Sequence, residues 1–456
     1  MIKAIQRILN VEELRKRVFF TLLLLAVCRL GAFIPVPGIN ADAAVALFKQ
    51  ATGGGQNLFQ LMDVFSGGAF SHMTIVALGV TPYISASIIL QLLVAIIPSI
   101  QREMKENGDA GRKRVAKWTR IGTMALALFQ AALLAGHVIR MNASSPGIIN
   151  PHILQMQLFG MPWLFYLTVM LAMTAGTVFL MWLGELITDK GIGNGVSLII
   201  TLGILSSLPS TIGSVIQQLN LQSQDVGQLS FSSLIVLMFV FVVIIFGMIL
   251  VIQGQRKIPV QYARRSHSTQ DPNASSAHIP LKVNYAGVIP VIFASSLLML
   301  PATIGQFLAS DSFIGRIAGS LVPGTTIYGV VYVSLIMFFT YFWTATQFHP
   351  DQIASDMKKN GAFIPGIRQG KPTQDFLEST MGKITLIGGI SLSLIAILPM
   401  LVSRVVGVDA RISHFFGGTS LLILVGVILD TTKQIESHLL MKRYDGFMKR
   451  GKLRGR

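Results

Sequence analysis

The chain has 456 residues, of which 52% are hydrophobic and only 12% charged, and its mean hydropathy is +0.62. An ordinary soluble domain is about a quarter charged, so a water-facing surface cannot be covered here and a soluble enzyme of two or three domains is excluded. The length accommodates about ten membrane spans of roughly 20 residues. The single Cys28 rules out an intrachain disulfide framework and any multi-cysteine metal site. The net charge of +17 takes its meaning from where the charges fall relative to the membrane.

Residues 1–17 form a charged lead in which Ile2, Ile5 and Leu9 share one helical face while Lys3, Arg7 and Glu13 lie elsewhere. That pattern suits a helix on the inner membrane surface, and an ordinary polar lead with chance spacing explains it equally well. The apolar run that follows has no small-residue cleavage pattern before Pro35, so it reads as a first span and not a removable leader. Apolar stretches lie at about 18–34, 74–97, 119–139, 163–184, 196–216, 230–252, 286–308, 326–346, 384–403 and 415–432, which predicts ten helices. Several contain Gly or Pro (Gly79, Pro82, Gly203, Pro209, Pro290, Pro301, Pro399), which membrane helices tolerate because neighbours re-satisfy the freed backbone groups.

The connection between Pro35 and Met73 is too long for a turn. Within it, Leu58–Met73 holds about two apolar helical turns ending at Gly67 and Gly68. Apolar side chains in water are costly, so this half-helix is expected to fold back into the protein, the setting in which broken backbone is tolerated at membrane depth. An interfacial piece with no moving role is the plainer alternative.

An even number of spans puts both termini on one side. The great majority of the 37 Lys and Arg then fall on that side: in the N-terminal lead, the 98–118 loop, Lys190, the 253–283 and 347–383 loops and the 433–456 tail. The opposite set holds only Lys49, Arg140, Arg316, Arg404 and Arg411, so the positive-inside rule places both termini in the cytoplasm. The chain divides near 220–230 into two five-span halves, 18–220 and 221–432. Five is odd, so halves sharing a fold must be inverted, with the working site at their interface; no internal sequence repeat accompanies this.

Chemistry-bearing motifs are missing. There is no G-x-x-x-x-G-K-[ST] phosphate cradle. The eight histidines never fall three or four apart, so a zinc protease is not expected. Gly191-Ile192-Gly193-Asn194-Gly195 has no strand-turn-helix context and reads as a short turn. Charges inside spans usually mark transport sites, and here they are scarce: Arg29 sits near the outer end of the first span, where snorkelling to the interface is the simpler account. A pathway that does not bind its cargo by charge follows, with no cofactor and no catalytic group.

Local sequences then converge on a family. Gly31-Ala-Phe-Ile-Pro-Val-Pro-Gly38, Phe65-Ser-Gly-Gly68, Pro82-Tyr-Ile-Ser-Ala-Ser87, Met181-Trp-Leu-Gly-Glu185 and Gly191–Gly195 resemble the bacterial-type SecY family of protein-conducting channels. So do Gly287-Val-Ile-Pro290, Phe293-Ala-Ser-Ser296, Gly361-Ala-Phe-Ile-Pro-Gly-Ile-Arg368 and Phe416-Gly-Gly-Thr-Ser420, in order from about residue 11 to the last span. The resemblance implies a multi-pass plasma (inner) membrane protein with a central pore narrowed by Val80, Ile84, Val196, Ile200, Ile292 and Ile423. It implies a plug over 58–71, including Leu58, Phe59, Leu61, Met62, Val64, Phe65, Gly67 and Gly68. Valines at 80 and 196 replace the isoleucine common in the family and would widen the waist slightly.

A lateral gate is implied between the 74–97 and 119–139 helices on one side and 286–308 and 326–346 on the other. Ser85, Ser87, Gln91, Gln130, Ser295 and Ser296 lie there, and hydrogen bonds between helices would contribute about 1 kcal/mol each. Arg256, Lys257, Arg264, Arg265, Lys358, Lys359 and Arg368 in the two basic loops would meet ribosomal RNA or a motor protein, although positive-inside topology alone explains most of them. Gln253 stands where many relatives carry an acidic residue. The implied partners are small SecE- and SecG-like membrane subunits, a SecA-type ATPase, a translating ribosome, the translocating polypeptide and the lipid bilayer. A secondary transporter with inverted repeats is the alternative reading.

Overall fold

Apolar sequence of this length forms helices, because inside lipid every backbone group needs a partner from its own segment. In the computed structural model, which describes residues 11–52, 58–100, 108–144, 146–155, 162–218, 231–262, 278–307, 319–321, 324–406 and 419–451, each of the ten apolar stretches lies on a helix. These are α1 (Glu12–Gly31), α4 (Thr81–Ile96), α5 (Asp109–Ser144), α7 (Trp163–Lys190), α8 (Gly195–Gln218), α9 (Phe231–Gln253), α10 (Ile289–Phe307), α11 (Thr326–Gln347), α13 (Lys371–Val406) and α14 (Thr419–Gly451). Between them lie α2 (Ala41–Thr52), α3 (Leu58–Ser66), α6 (Pro151–Gln155) and α12 (Pro350–Lys359). Six segments, carried by α5, α7, α8, α9, α11 and α13, are long and apolar enough to cross a membrane, and α4 and α10 contain shorter apolar helices. The chain is a multi-pass membrane protein, and α9 shows it plainly. Ile235, Phe239, Val242, Phe246 and Leu250 are exposed on one face while Leu237, Ile244, Met248 and Ile252 are buried on the other, so both faces are apolar and the outer one suits lipid. Residues 1–10, including most of the amphipathic lead, and 452–456 of the tail lie outside the described residues.

The stretch expected as a span from residue 74 becomes helical only at Thr81. Gly79 has φ +58° and Pro82 sits in the first turn of α4, so the helix cannot extend backward. Residues 74–80 instead descend as turns whose polar groups bind the chain leaving α1: Val36 N donates to Met73 O (3.0 Å) and Ile75 N to Ile34 O (3.0 Å). This strip lies directly on α7, where a Cβ at Gly176 would sit 2.0 Å from Ile75 O.

Helices α1 to α8 pack chiefly on one another, and α9 to α14 do likewise. The two groups meet where α10 touches α3, α4 and α5, and where α14 touches α8. The Gly191–Gly195 turn is a short connection, as expected, and also a knot. Ile192 N donates to Thr21 Oγ1 (3.1 Å) on α1, Gly193 N donates to Gln434 Oε1 (2.9 Å) on α14, and a Cβ at Gly195 would meet Gly184 O at 2.0 Å.

Two short sheets add to the all-helical expectation. β1 (Gln255–Pro259) pairs antiparallel with β3 (His278–Lys282), and β2 (Gln261–Tyr262) pairs with β4 (Ala362–Phe363). The second pairing stitches the two basic loops together over a small core that includes Ile258, Leu281, Phe348, Met357, Leu377 and Met381.

The Gly176 contact supplies a test. Gly176→Ala forces a methyl into a rigid carbonyl and should cost about 1–3 kcal/mol, as overpacking does. It should appear as a lower midpoint of thermal aggregation in detergent. Gly213→Ala on α8, where a Cβ meets nothing within 4 Å, should leave that midpoint unchanged or raised.

Candidate functional site

The site begins with how α3 ends. Gly68 N donates to Asp63 O (2.9 Å) and Gly67 N to Val64 O (3.2 Å), the paired bonds of a Schellman turn, with Gly67 at φ +67° as that turn requires. The emerging chain is then self-satisfied: Asp63 Oδ1 accepts from Ser71 N (2.8 Å), Ser66 Oγ from Phe70 N (3.0 Å) and Ala69 O from Thr74 N (3.1 Å). A half-helix can therefore sit at depth without leaving its C-terminal carbonyls bare.

Its seat is backbone on backbone. A Cβ at Gly203 of α8 would fall 2.4 Å from Phe65 O, and one at Gly67 would fall 2.9 Å from Gly203 Cα. Only a glycine pair permits this approach. Arg29 of α1 closes the seat from the side, its Nη1 donating to Gly67 O at 2.7 Å, with the guanidinium 5.1 Å from the centre of the Phe33 ring. Arg29 was expected to reach outward to the interface; a backbone carbonyl inside the protein holds it instead.

From this seat Met62 and Phe65 face a central cavity. Val80, Ile84, Ile200 and Ile292 line it too, so four of the six residues expected to form the ring converge there. About 20 Å³ is open to the centre of a water molecule, roughly one water's worth. Ile423, 1% exposed, and Val196 belong to the same apolar cluster but do not line the cavity. Val196 Cγ2 packs toward Gly184 of α7. Leu78 and Met299, absent from the sequence expectation, do line it. No sequence pattern marked them, since Leu78 lies in a stretch expected to be plain helix.

The six residues expected at a lateral gate lie on helices that touch one another, but their bonding differs from expectation. Ser295 and Ser296 of α10 line the cavity, and α10 packs on α4, which carries Ser85, Ser87 and Gln91. Among the described residues, the side-chain hydrogen bonds of these six groups stay within their own helix: Gln91 Nε2 donates to Ser87 Oγ (3.0 Å) and Ser295 Oγ to Ile292 O (2.9 Å). Gln91 Oε1 and Gln130 Oε1 are buried without a partner. The α4–α10 contact thus rests on apolar packing, and the unpartnered acceptors on α4 and α5 cost stability.

On the basic loops, Arg256 and Lys257 are exposed on β1, Lys358 and Lys359 on the last turn of α12, and Arg368 in the turn after β4. Arg264 and Arg265 lie outside the described residues. Sequence reading also missed an ion pair between Arg120 of α5 and Glu185 of α7, bidentate at 3.1 Å and 2.8 Å, which ties these helices beside α4. Among the described residues no cluster of His, Cys, Asp and Glu could hold a metal.

A multi-pass helical bundle, an apolar central waist and a re-entrant half-helix seated against it define a class: a helical membrane channel. The SecY family model matches residues 74–432. The chain is 58% identical over 453 residues to a "Protein translocase subunit SecY" from Chlamydia trachomatis, covering 99% of each. It superposes on a solved protein-conducting channel with TM-score 0.60 at 19% identity, over 92% of this chain and 91% of the other. A second solved structure, concerned with how the SecY plug domain stabilises the closed state and maintains a membrane seal, gives TM-score 0.58 at 18% identity, over 92% and 91%. The chain belongs to the SecY family.

Gly203→Ala pushes a methyl against the Phe65 carbonyl and should loosen the seat. With Val64→Cys as a reporter in a Cys28→Ala background, a membrane-impermeant thiol reagent should label about tenfold faster once Gly203 is replaced, a seat weakened by roughly 1.4 kcal/mol.

Proposed function

We propose that this chain is the central subunit of a protein translocation channel, passing unfolded polypeptides outward across the membrane and releasing apolar segments sideways into lipid. The observation that carries the reading is the stoppered apolar waist: Val80, Ile84, Ile200 and Ile292 around about 20 Å³ of open space, with Met62 and Phe65 of the half-helix filling one side.

Such a waist suits a conduit for any sequence. Aliphatic side chains offer no fixed charge and no hydrogen-bond group with which to select one peptide side chain, while a narrow apolar constriction dewets and resists ion flow. Val196 and Ile423, adjacent in the cluster, complete the ring once an entering chain spreads it. The half-helix over 58–71 is the plug; its seat on α8 is glycine on glycine, so withdrawal uncovers Met62 and Phe70 but meets no interlocked side chain at Gly67 and Gly203. The seam between α4 and α10 is the lateral gate, with α5 and α11 beside it. Unpaired Gln91 and Gln130 oxygens make its closed form less than fully satisfied and so reversible.

The fold is divided as two five-helix halves, 18–220 and 221–432, of opposed membrane orientation, in the inner membrane with both termini cytoplasmic. The chain is not an enzyme, and without a nucleotide cradle its driving energy comes from partners. A SecA-type ATPase or a translating ribosome docks on the basic unit formed by the stitched loops, through Arg256, Lys257, Lys358, Lys359 and Arg368, with SecE- and SecG-like subunits alongside in the membrane.

Three measurements test this. Deleting 58–71 should raise the ion leak of the reconstituted resting channel in a planar bilayer; unchanged conductance would remove the plug. Cysteines replacing Ser87 and Ser295 should cross-link in the resting channel, and consistent failure would argue against a seam there. Arg368→Glu should slow export by about tenfold or more, as reversal of an interface charge does, with insertion of the protein unaffected.

A further inference from the structure

Arg29 sets its charged end against the half-helix, and the resting arrangement leaves it little else to bind. Its Nη1 donates to Gly67 O at 2.7 Å, its guanidinium lies 5.1 Å from the centre of the exposed Phe33 ring, and no described carboxylate lies within ion-pair distance of it. Gly67 is the hinge residue of the half-helix, held at φ +67° by its Schellman turn and pressed against Gly203. The same guanidinium borders a small space shared with Phe65, Ser66 and Gly203, so it lies between the stopper and the helix on which the stopper rests.

We propose that Arg29 is a latch: a positioning residue that holds the plug in its resting seat by gripping the Gly67 carbonyl. The proposal rests on the plug reading above. A charge-assisted hydrogen bond is roughly twice as strong as a neutral one, and a cation at the C-terminal end of a helix is favoured by the helix dipole. Withdrawing the plug leaves a guanidinium with only an aromatic face for company. The resting state is therefore preferred until an entering polypeptide spreads the waist and offers carbonyls of its own.

The test uses the full chain reconstituted with its small partner subunits and reads resting ion leak, with protein level and thermal midpoint as controls. Arg29→Met should raise the leak about tenfold, corresponding to roughly 1.4 kcal/mol of lost seating. Arg29→Gln, which keeps a neutral donor, and Arg29→Lys, which keeps the charge, should fall between wild type and Met, with Lys nearer wild type. If Met does not insert, the Lys and Gln variants alone carry the ordering. In a 58–71 deletion background all Arg29 variants should leak equally, because a latch has no effect without its plug. A leak that rises as much in the deletion background as in the full chain overturns the latch, as does a full-chain leak indifferent to the residue at 29 while the deletion itself leaks. A deletion that does not leak overturns the plug reading and the latch with it.

Discussion

Everything at the centre of this molecule depends on one constraint: backbone that leaves the helical path at membrane depth must find its hydrogen bonds within the protein. Residues 63–76 meet it almost entirely by themselves. Asp63 binds Ser71 and Gly68, Ser66 binds Phe70, Ala69 binds Thr74, and Met73 and Ile75 pair with the chain leaving α1. Because most of those bonds are local, the half-helix needs from its surroundings little beyond the Arg29 bond to Gly67 O and a fitting shape, and Gly67, Gly176 and Gly203 provide the shape by lacking a Cβ where the strip lies closest. A segment that is satisfied largely from within and held from outside by a single side-chain bond can leave its seat as a unit. One anchored by many long-range bonds could not.

The waist and the seam follow from the same economy. The waist is lined mainly by aliphatic side chains around about 20 Å³ of open space, so its closure is a matter of packing density more than of specific pairing. The α4–α10 contact carries hydroxyls and amides that bond along their own helices and not across. Little directional bonding therefore holds either contact, which suits a channel whose cargo has arbitrary sequence.

The sequence made some of this legible and not the rest, for physical reasons. The ten helices could be placed because lipid imposes a length and an apolarity that a single stretch must satisfy alone, as α9 does on both faces. The half-helix could be placed because Gly67 and Gly68 after an apolar turn announce a C-cap. The late start of α4 was hidden, since Thr74–Val80 are as apolar as a span and only the positive φ at Gly79 and tertiary support from α7 unwind them. The partner of Arg29 was also hidden: a contact across the fold leaves no local pattern, and a lone arginine near a span end ordinarily points outward. The strands β1 to β4 escaped because they are short, two contain proline, and the β2–β4 pairing joins loops far apart in sequence.

One tie bears on how the molecule is made. Gly193, in the turn between α7 and α8, gives its amide to Gln434, and Ile423 on that same last helix is buried in the cluster around the waist. A nascent chain emerging from its N-terminus must hold α7 and α8 open-ended until nearly the whole polypeptide has been synthesised. The last helix is thus a keystone: until α14 arrives, the Gly193 amide lacks its Gln434 partner and the cluster around the waist lacks Ile423.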